Sequence, residues 1–414
     1  MLRRLAAYLE RVFGFRHEVD SLRDSRRRPQ IDTASVWLCC FAMFAVRLRS
    51  FNAIEQELRR PKRWERFVGR RKPSADTMGR VCGKFSLDSL RRVLANLNRQ
   101  AWRAKTVHRR PGELYRVVAI DGHELRASRA RCCKQCLIRD LKLGERTFRE
   151  YYHRVVVAQW VGVTPPGLLD VELVRPGEGE VVAARRLLER IFKSYGRLID
   201  VVCADAIYLE APFCSMVLAA HKHFVVVMKQ QARELYQDAG RLRMLCPPQI
   251  VVDGAKTSSL WDLSDLSSFT TLGHQVRVVW AEESTTKRKI VGGEKKILVE
   301  ANTWIWVTDL PTTSVPAVKI ARWGHDRWDL ENRGFNELST LWGMDHCFVH
   351  NPVAIQTLLL TLAIAFLTTY VFYERNLKPD VRRHLTRLAL ADRLREDLCL
   401  PGGVSLWPPD RPSG

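Results

Sequence analysis

The sequence is short of negative charge. Its 414 residues carry 45 Asp and Glu against 67 Lys and Arg, a formal net charge of +22, which argues against any role that must avoid polyanions. It also lacks a disulfide framework, because its eleven cysteines are odd in number and unevenly spaced, as expected in a reducing cytoplasm. No internal repeat is present. The opening MLRRLAAYLE mixes Glu with Arg on an amphipathic helix and has neither the long apolar region nor the small-residue cleavage site of a signal peptide. A single apolar run, residues 353–372, reaches the ~20 residues needed to cross a bilayer. It contains Gln356 and four threonines and stands alone, so it reads as a buried core helix, with no membrane partner expected.

The basic excess is concentrated. Residues 1–110 hold 27 basic and 10 acidic residues, a net of +17 out of +22. The surplus is mostly Arg, in SRRR (25–28), RRPKRWER (59–66) and GRRK (69–72), and Arg meets phosphate oxygens with paired donors. A basic block ahead of a nearly neutral remainder reads as a part that grips nucleic acid joined to a part that works on phosphates.

Three acids stand out in that remainder: Asp121 ending the apolar run VVAID, Asp205 ending LIDVVCAD, and Glu331 in RWGHDRWDLENRGF. Desolvating an unpaired carboxylate costs several kcal/mol (about 1–3 or more), so acids that follow buried strands are poor core residues. Asp121 or Asp205 alone also reads as a turn or helix cap. All three together suggest convergence on a cation, and hard oxygen ligands suit Mg²⁺, with Mn²⁺ as the alternative. Cys132, Cys133 and Cys136 are the only cysteines with metal-like spacing. No second Cys or His pair follows at a zinc-ribbon distance, so the sequence ranks a reduced structural loop ahead of a zinc site there.

Periodicity divides the chain. Residues 1–110 read as helical and basic, with Val36, Leu38, Phe41, Met43 and Phe44 on a buried helix and Ser74 or Asp76 capping the next. From residue 115 the pattern turns to β-branched runs at 115–121, 152–163 and 167–174, then a helix at 180–195, a strand at 198–205, a helix, and a strand at 223–229. Three strands, helix, strand, helix, strand is the order of a ribonuclease-H-like core, in which the first and fourth strands are neighbours and Asp121 meets Asp205. The expected fold class is therefore mixed α/β: a basic all-α region (1–110), the first part of the core (111–230), a β-rich insertion (231–310), and the rest of the core with the Glu331 helix and the buried helix (311–375). A basic helix and a disordered Pro/Gly-rich tail complete the chain (376–414).

The stretches AIDGHELRAS, EYYHRVVVAQWVG, PGEGE, VVCADAIY and WDLENRGFNELSTLWGMDH resemble the DDE transposases of bacterial insertion sequences, in the family-four-like branch with a β-strand insertion before the final Glu. The resemblance implies that Asp121, Asp205 and Glu331 form the catalytic, metal-holding triad. Asp121 would be shared by two ions, while Asp205 holds one and Glu331 the other. The family's Tyr-x2-Arg-x3-Glu-x6-Lys signature is half met: Arg327 and Glu331 are in place, Gly324 stands for Tyr and Leu338 for Lys. Contacts to DNA are then expected from Arg327, His325, Arg333 and Trp328. His123 and Glu124 read equally as support for the first acid or as a surface turn, and Glu337 is the weaker choice for a third acid. The implied activity is metal-dependent cleavage at transposon ends and strand transfer without a covalent protein–DNA intermediate. The implied partners are terminal inverted repeats and target double-stranded DNA, with a homodimer as the active form in the bacterial cytoplasm, associated with the nucleoid. The alternatives are an inactive or domesticated DNA-binding descendant and a ribonuclease-H-like nuclease without end specificity.

Overall fold

The computed structural model describes residues 1–59, 63–291 and 294–399. The tail from Pro401 and residues 60–62 of the basic run lie outside the described residues, as does the side chain of Arg333. The chain forms two compact units, Met1–Glu113 with Gly122–Gly196 and Asn332–Gly414, and Leu114–Asp121 with Arg197–Glu331.

The first unit is built around the helix Pro352–Asn376, which packs against helices Thr33–Ala45, Ala75–Cys82 and Leu87–Arg103. By length and hydropathy it could cross a membrane, yet 89% of its most apolar window is buried within the protein. Three of its four threonines are satisfied within the helix: the hydroxyls of Thr361, Thr368 and Thr369 donate to the carbonyls of Thr357, Ile364 and Ala365 one turn back. Thr361 also accepts from the buried indole N–H of Trp37 at 3.0 Å, and Gln356 accepts from Arg91 at 2.9 Å. The helix starts sharply, with Asn351 accepting from the N–H groups of Val353 and Ala354 and Pro352 in the first position. Ser74, one of the two expected caps, accepts from Thr77 N–H and opens Ala75–Cys82.

Strands Arg154–Val161 and Leu168–Leu173 pair antiparallel in the same unit. The second is buried along its whole length, and its acids Asp170 and Glu172 meet Arg91 and Arg190, with Arg186 on Glu172. Buried carboxylates persist only when paired in this way. The PGEGE turn leads into helix Glu180–Tyr195, and Glu180 pairs with Arg154. It lies so close to Gly122 that a Cβ there would sit 2.0 Å from its carboxylate, so a larger residue at 122 would have to displace the Glu180 side chain. Residues 137–152 form a hairpin of strands Leu137–Leu143 and Arg146–Tyr152 that the sequence reading left unassigned.

The second unit carries a large mixed sheet. Strand Val201–Ala204 lies between Val117–Glu124 and His223–Val227 and is parallel to both, so the first and fourth core strands are neighbours, as the ribonuclease-H-like order requires. Four antiparallel strands, Gln249–Asp253, Lys256–Leu266, Val276–Val291 and Glu294–Thr308, extend this sheet, the last pairing antiparallel with His223–Val227. Residues 249–308, read from sequence as an insertion, thus continue the core sheet by hydrogen bonding. The joint is fastened by Asp309, which accepts from the Phe224 N–H at 2.9 Å and meets His223 Nδ1 at 2.7 Å.

The hydrogen bond to Asp309, reinforced by its charge, raises the His223 pKa above its ordinary 6.5 against the opposing effect of burial. A raised imidazole pKa adds stability that is fully present below about pH 6.5 and is lost as pH rises through the folded-state value. Urea unfolding should therefore show a decline in stability from pH 6 to 8 that shrinks in Asp309→Asn, which keeps an acceptor for Phe224 but loses the charge. The contribution is modest, since the His223 side chain is 39% exposed. An unchanged pH dependence in the variant would remove His223 as its source.

Candidate active site

The register of the parallel pair brings the first two acids together. Val117, Val118 and Ala119 lie opposite Val201, Val202 and Cys203, and two further steps at the same offset align Asp121 with Asp205. Asp121 does not end its strand, which runs on to Glu124, but burial stops there: the four residues before it are buried and it is half-buried. Asp205 follows Ala204 with extended backbone (φ −76°, ψ 174°) and opens a short 3-10 turn.

Between the two carboxylates stands Arg327. Its Nη1 donates to Asp121 Oδ2 at 2.6 Å, and its Nη2 is 4.0 Å from Asp205 Oδ1. Asp205 also accepts from Lys229 Nζ at 3.1 Å. Burial alone would raise the Asp205 pKa, but hydrogen bonds from the Ala206 N–H and Lys229, with the charges of Arg327 and Lys229, hold it below its usual 3.8. Arg327 lies on helix Ala317–Asp329, whose buried face of Ile320, Trp323, Gly324 and Arg327 repeats at helical spacing and packs on the sheet. The Arg327 side chain is only 3% exposed, and its Nε is buried without an acceptor. The sequence suggested either a phosphate contact or an ion pair with Glu331 for this residue. The structure gives its charge to Asp121 and places it near Asp205.

Glu331 lies four residues on, where the α-helix gives way to a π-helical stretch, Leu330–Phe335, a distortion common at functional sites. Its side chain is exposed. The structure brings Asp121, Asp205, Arg327 and Lys229 together, with Glu331 one turn away and facing solvent. The two carboxylates share one positive group, the arrangement a hard cation would also satisfy, so the donor set fits a divalent ion. Lys229 was not singled out from sequence, because a lone Lys ending HFVVVMK carries no spacing signal.

The other candidates differ in accessibility. His325 Nε2 contacts Glu283 at 2.9 Å, and Lys256 meets the same carboxylate at 2.8 Å. Burial would raise the Glu283 pKa, but those two partners hold it low. His325 also lies edge-on to Trp304 and Trp306. Of the tryptophans near the insertion and this helix, Trp306, Trp323 and Trp342 are core residues, whereas Trp328 is 44% exposed and packs edge-on to Trp304. In the first unit, His123 contacts Asp345 and Glu124 makes a two-pronged pair with Arg139. Glu337 pairs with Arg387.

The sequence pattern of the family described as Transposase DDE domain matches residues 112–368, a span that runs from the strand bearing Asp121 past Glu331 into the long core helix. The chain belongs to the DDE transposases. No curated protein is matched by the sequence.

Positions 324 and 338, where the resemblance leads us to expect Tyr and Lys, have physical reasons for their residues. A Cβ at Gly324 would lie 2.0 Å from Trp306 Nε1 and 2.4 Å from Cε2, so in this transposase the indole fills the space that a Tyr at position 324 would need. Leu338 is fully buried, where a Lys ammonium would be desolvated. Gly324→Ala should lower stability by about 1–3 kcal/mol through overpacking, and pairing it with Trp306→Phe should recover part of the loss. Thermal or urea unfolding of the two variants checks this, and an unaltered midpoint for Gly324→Ala would show that the helix shifts freely on the sheet.

Proposed function

We propose that this transposase cuts DNA at the ends of its mobile element and joins the freed 3′-hydroxyl to target DNA. Asp121, Asp205 and Glu331 would hold Mg²⁺, with Mn²⁺ as a substitute. The observation that carries this reading is the pair of carboxylates, aligned by parallel-strand register, that share the buried guanidinium of Arg327. Divalent ions held there supply Lewis-acid polarisation of the phosphodiester and acidify the attacking water or 3′-hydroxyl.

The chain's own groups do the rest. Asp121, in the sheet and half-buried, and Asp205, at the sheet end, present fixed oxygens. Glu331, exposed one turn past Arg327, would supply the third carboxylate. Arg327, paired with Asp121 and near Asp205, carries planar donors that would suit a phosphate oxygen of the scissile or neighbouring nucleotide. His325, Arg333 and the exposed ring of Trp328 are proposed to border the DNA end, with Trp328 offering a stacking face. The substrates are terminal inverted repeats and target double-stranded DNA, met by the basic residues of 1–110. The active form is a homodimer across paired ends, acting in the cytoplasm at the nucleoid.

Asp121→Asn, Asp205→Asn and Glu331→Gln should each reduce strand cleavage by at least about a hundredfold, since a lost ligand removes several kcal/mol of transition-state stabilisation. Binding to end DNA should stay near native, because the basic grip is elsewhere. Mg²⁺-dependent nicking assays with gel-shift binding measure both, and a variant that keeps near-native cleavage leaves the triad. Absence of any Mg²⁺-dependent nicking by the native chain would favour the non-catalytic descendant, and equal cleavage of end and random DNA would favour the nuclease.

Arg327 allows a separate check. With the competing guanidinium gone, Arg327→Met should gain more thermal stability from added Mg²⁺ than the native protein does, while strand transfer falls by one to two decades, the equivalent of a lost charge-assisted hydrogen bond of about 1.5–3 kcal/mol. Arg327→Lys should recover only part of the activity. A variant with native strand transfer and a lower melting temperature would make Arg327 a purely structural ion-pair partner.

A further inference from the structure

Away from the carboxylates, the first unit gathers four soft ligands. Cys133, Cys136, His153 and His350 place one donor atom each so that all four lie within 4.8 Å of one another. The two sulfurs are 3.7 Å apart, and His153 Nε2 is 3.5 Å from each of them. His350 Nε2 lies 2.9 Å from Cys136 Sγ. With Zn–S near 2.3 Å and Zn–N near 2.0–2.1 Å, a tetrahedron separates two sulfurs by about 3.8 Å and a sulfur from a nitrogen by about 3.6 Å. Three of these spacings already match, and the His350 contact needs to widen by about 0.7 Å to reach the same geometry.

The surroundings point the same way. His153 is only 3% exposed. Its Nε2 faces two thiols and, with ring centroids 5.2 Å apart, a second imidazole. Thiols are weak donors, so without an ion a buried ring is left poorly satisfied, which is costly. The turn between the cysteines is already formed: the Cys136 N–H donates to the Cys133 carbonyl, and the Cys133 N–H points at Cys136 Sγ at 3.2 Å. Cys132, the third cysteine of the cluster, is exposed and outside the group.

We propose that Cys133, Cys136, His153 and His350 form a structural Zn²⁺ site that clamps the 137–152 hairpin to the segment leading into the core helix. Two thiolates and two imidazoles are the ligand set that selects zinc over the hard ions suited to carboxylates, and four protein ligands leave no open position for chemistry. Cys133 and Cys136 precede the hairpin, His153 follows it, and His350 stands two residues before Pro352. The ion therefore joins segments about 200 residues apart in sequence, and its binding energy becomes folding energy for this unit.

The test uses the full chain, purified under reducing conditions and assayed by elemental analysis. One equivalent of zinc per chain is expected, retained on dialysis against Mg²⁺ and released when a mercurial blocks the thiols. Cobalt exchanged into the native chain should show a thiolate-to-cobalt charge-transfer band and the intense d–d bands of a tetrahedral site. Cys136→Ser and His350→Asn should lose most of the metal and lower the melting temperature, and Cys132→Ser should keep it. His350→Cys should still bind cobalt with a stronger charge-transfer band, a readout that holds even if the ligand-loss variants fold poorly. A native chain with less than about a tenth of an equivalent after incubation with Zn²⁺, or cobalt spectra without thiolate character, would overturn the proposal.

Discussion

The arrangement of the second unit turns on one guanidinium. Two carboxylates fixed side by side by parallel register repel each other, and neither can leave, because each is attached to a buried strand. Arg327 resolves the repulsion from a helix that packs on the strand leading to Asp205 and on its neighbour His223–Val227. An arginine does not give up its charge in a protein, so the guanidinium stays a cation whatever the pH. The helix face that delivers it must then approach the sheet closely, which is why Gly324 lies against Trp306 with no room for a side chain.

The large features were legible because they depend on local pattern. Continuous β-branched runs gave the core strands and their order, and the apolar 353–372 segment gave the buried helix. The hairpin at 137–152 escaped notice because its strands LIRDLKL and RTFREYY interrupt their alternation with charges. That residues 249–308 extend the core sheet was equally hidden, since hydrogen bonding between Val225–Val227 and Trp306–Thr308 is a pairing across some 80 residues that no local pattern records.

The site divides in the same way. Asp121 and Asp205 could be singled out because each closes an apolar run, a local property. The burial of Arg327 could not, because helical spacing to Glu331 suggested a shared face, and the change to π-helical geometry at Leu330 alters what each residue meets. Cys133 and Cys136 were visible as a pair, but a zinc ligand set needs two more donors, and His350 comes from beyond the whole second unit. Spacing rules find metal sites whose ligands arrive in two local pairs; this one takes a single pair and two imidazoles far apart in sequence.

Charge ties these observations together. A buried ion pair adds little net stability, yet removing one partner leaves an uncompensated charge that costs about 3–5 kcal/mol. The Asp121–Arg327–Asp205 group is therefore best understood as a holding arrangement that keeps two carboxylates close together and compensated. A divalent cation with a DNA phosphate would replace it without net loss, since the carboxylates exchange one cation for another and the guanidinium exchanges carboxylate oxygens for phosphate oxygens. Neither ligand alone balances that exchange. A cation alone places positive charge beside a buried guanidinium, and a phosphate alone places negative charge beside two carboxylates. On the proposed function, joint arrival of metal and DNA would then be favoured over either alone, a coupling that would follow from electrostatics at one buried arginine.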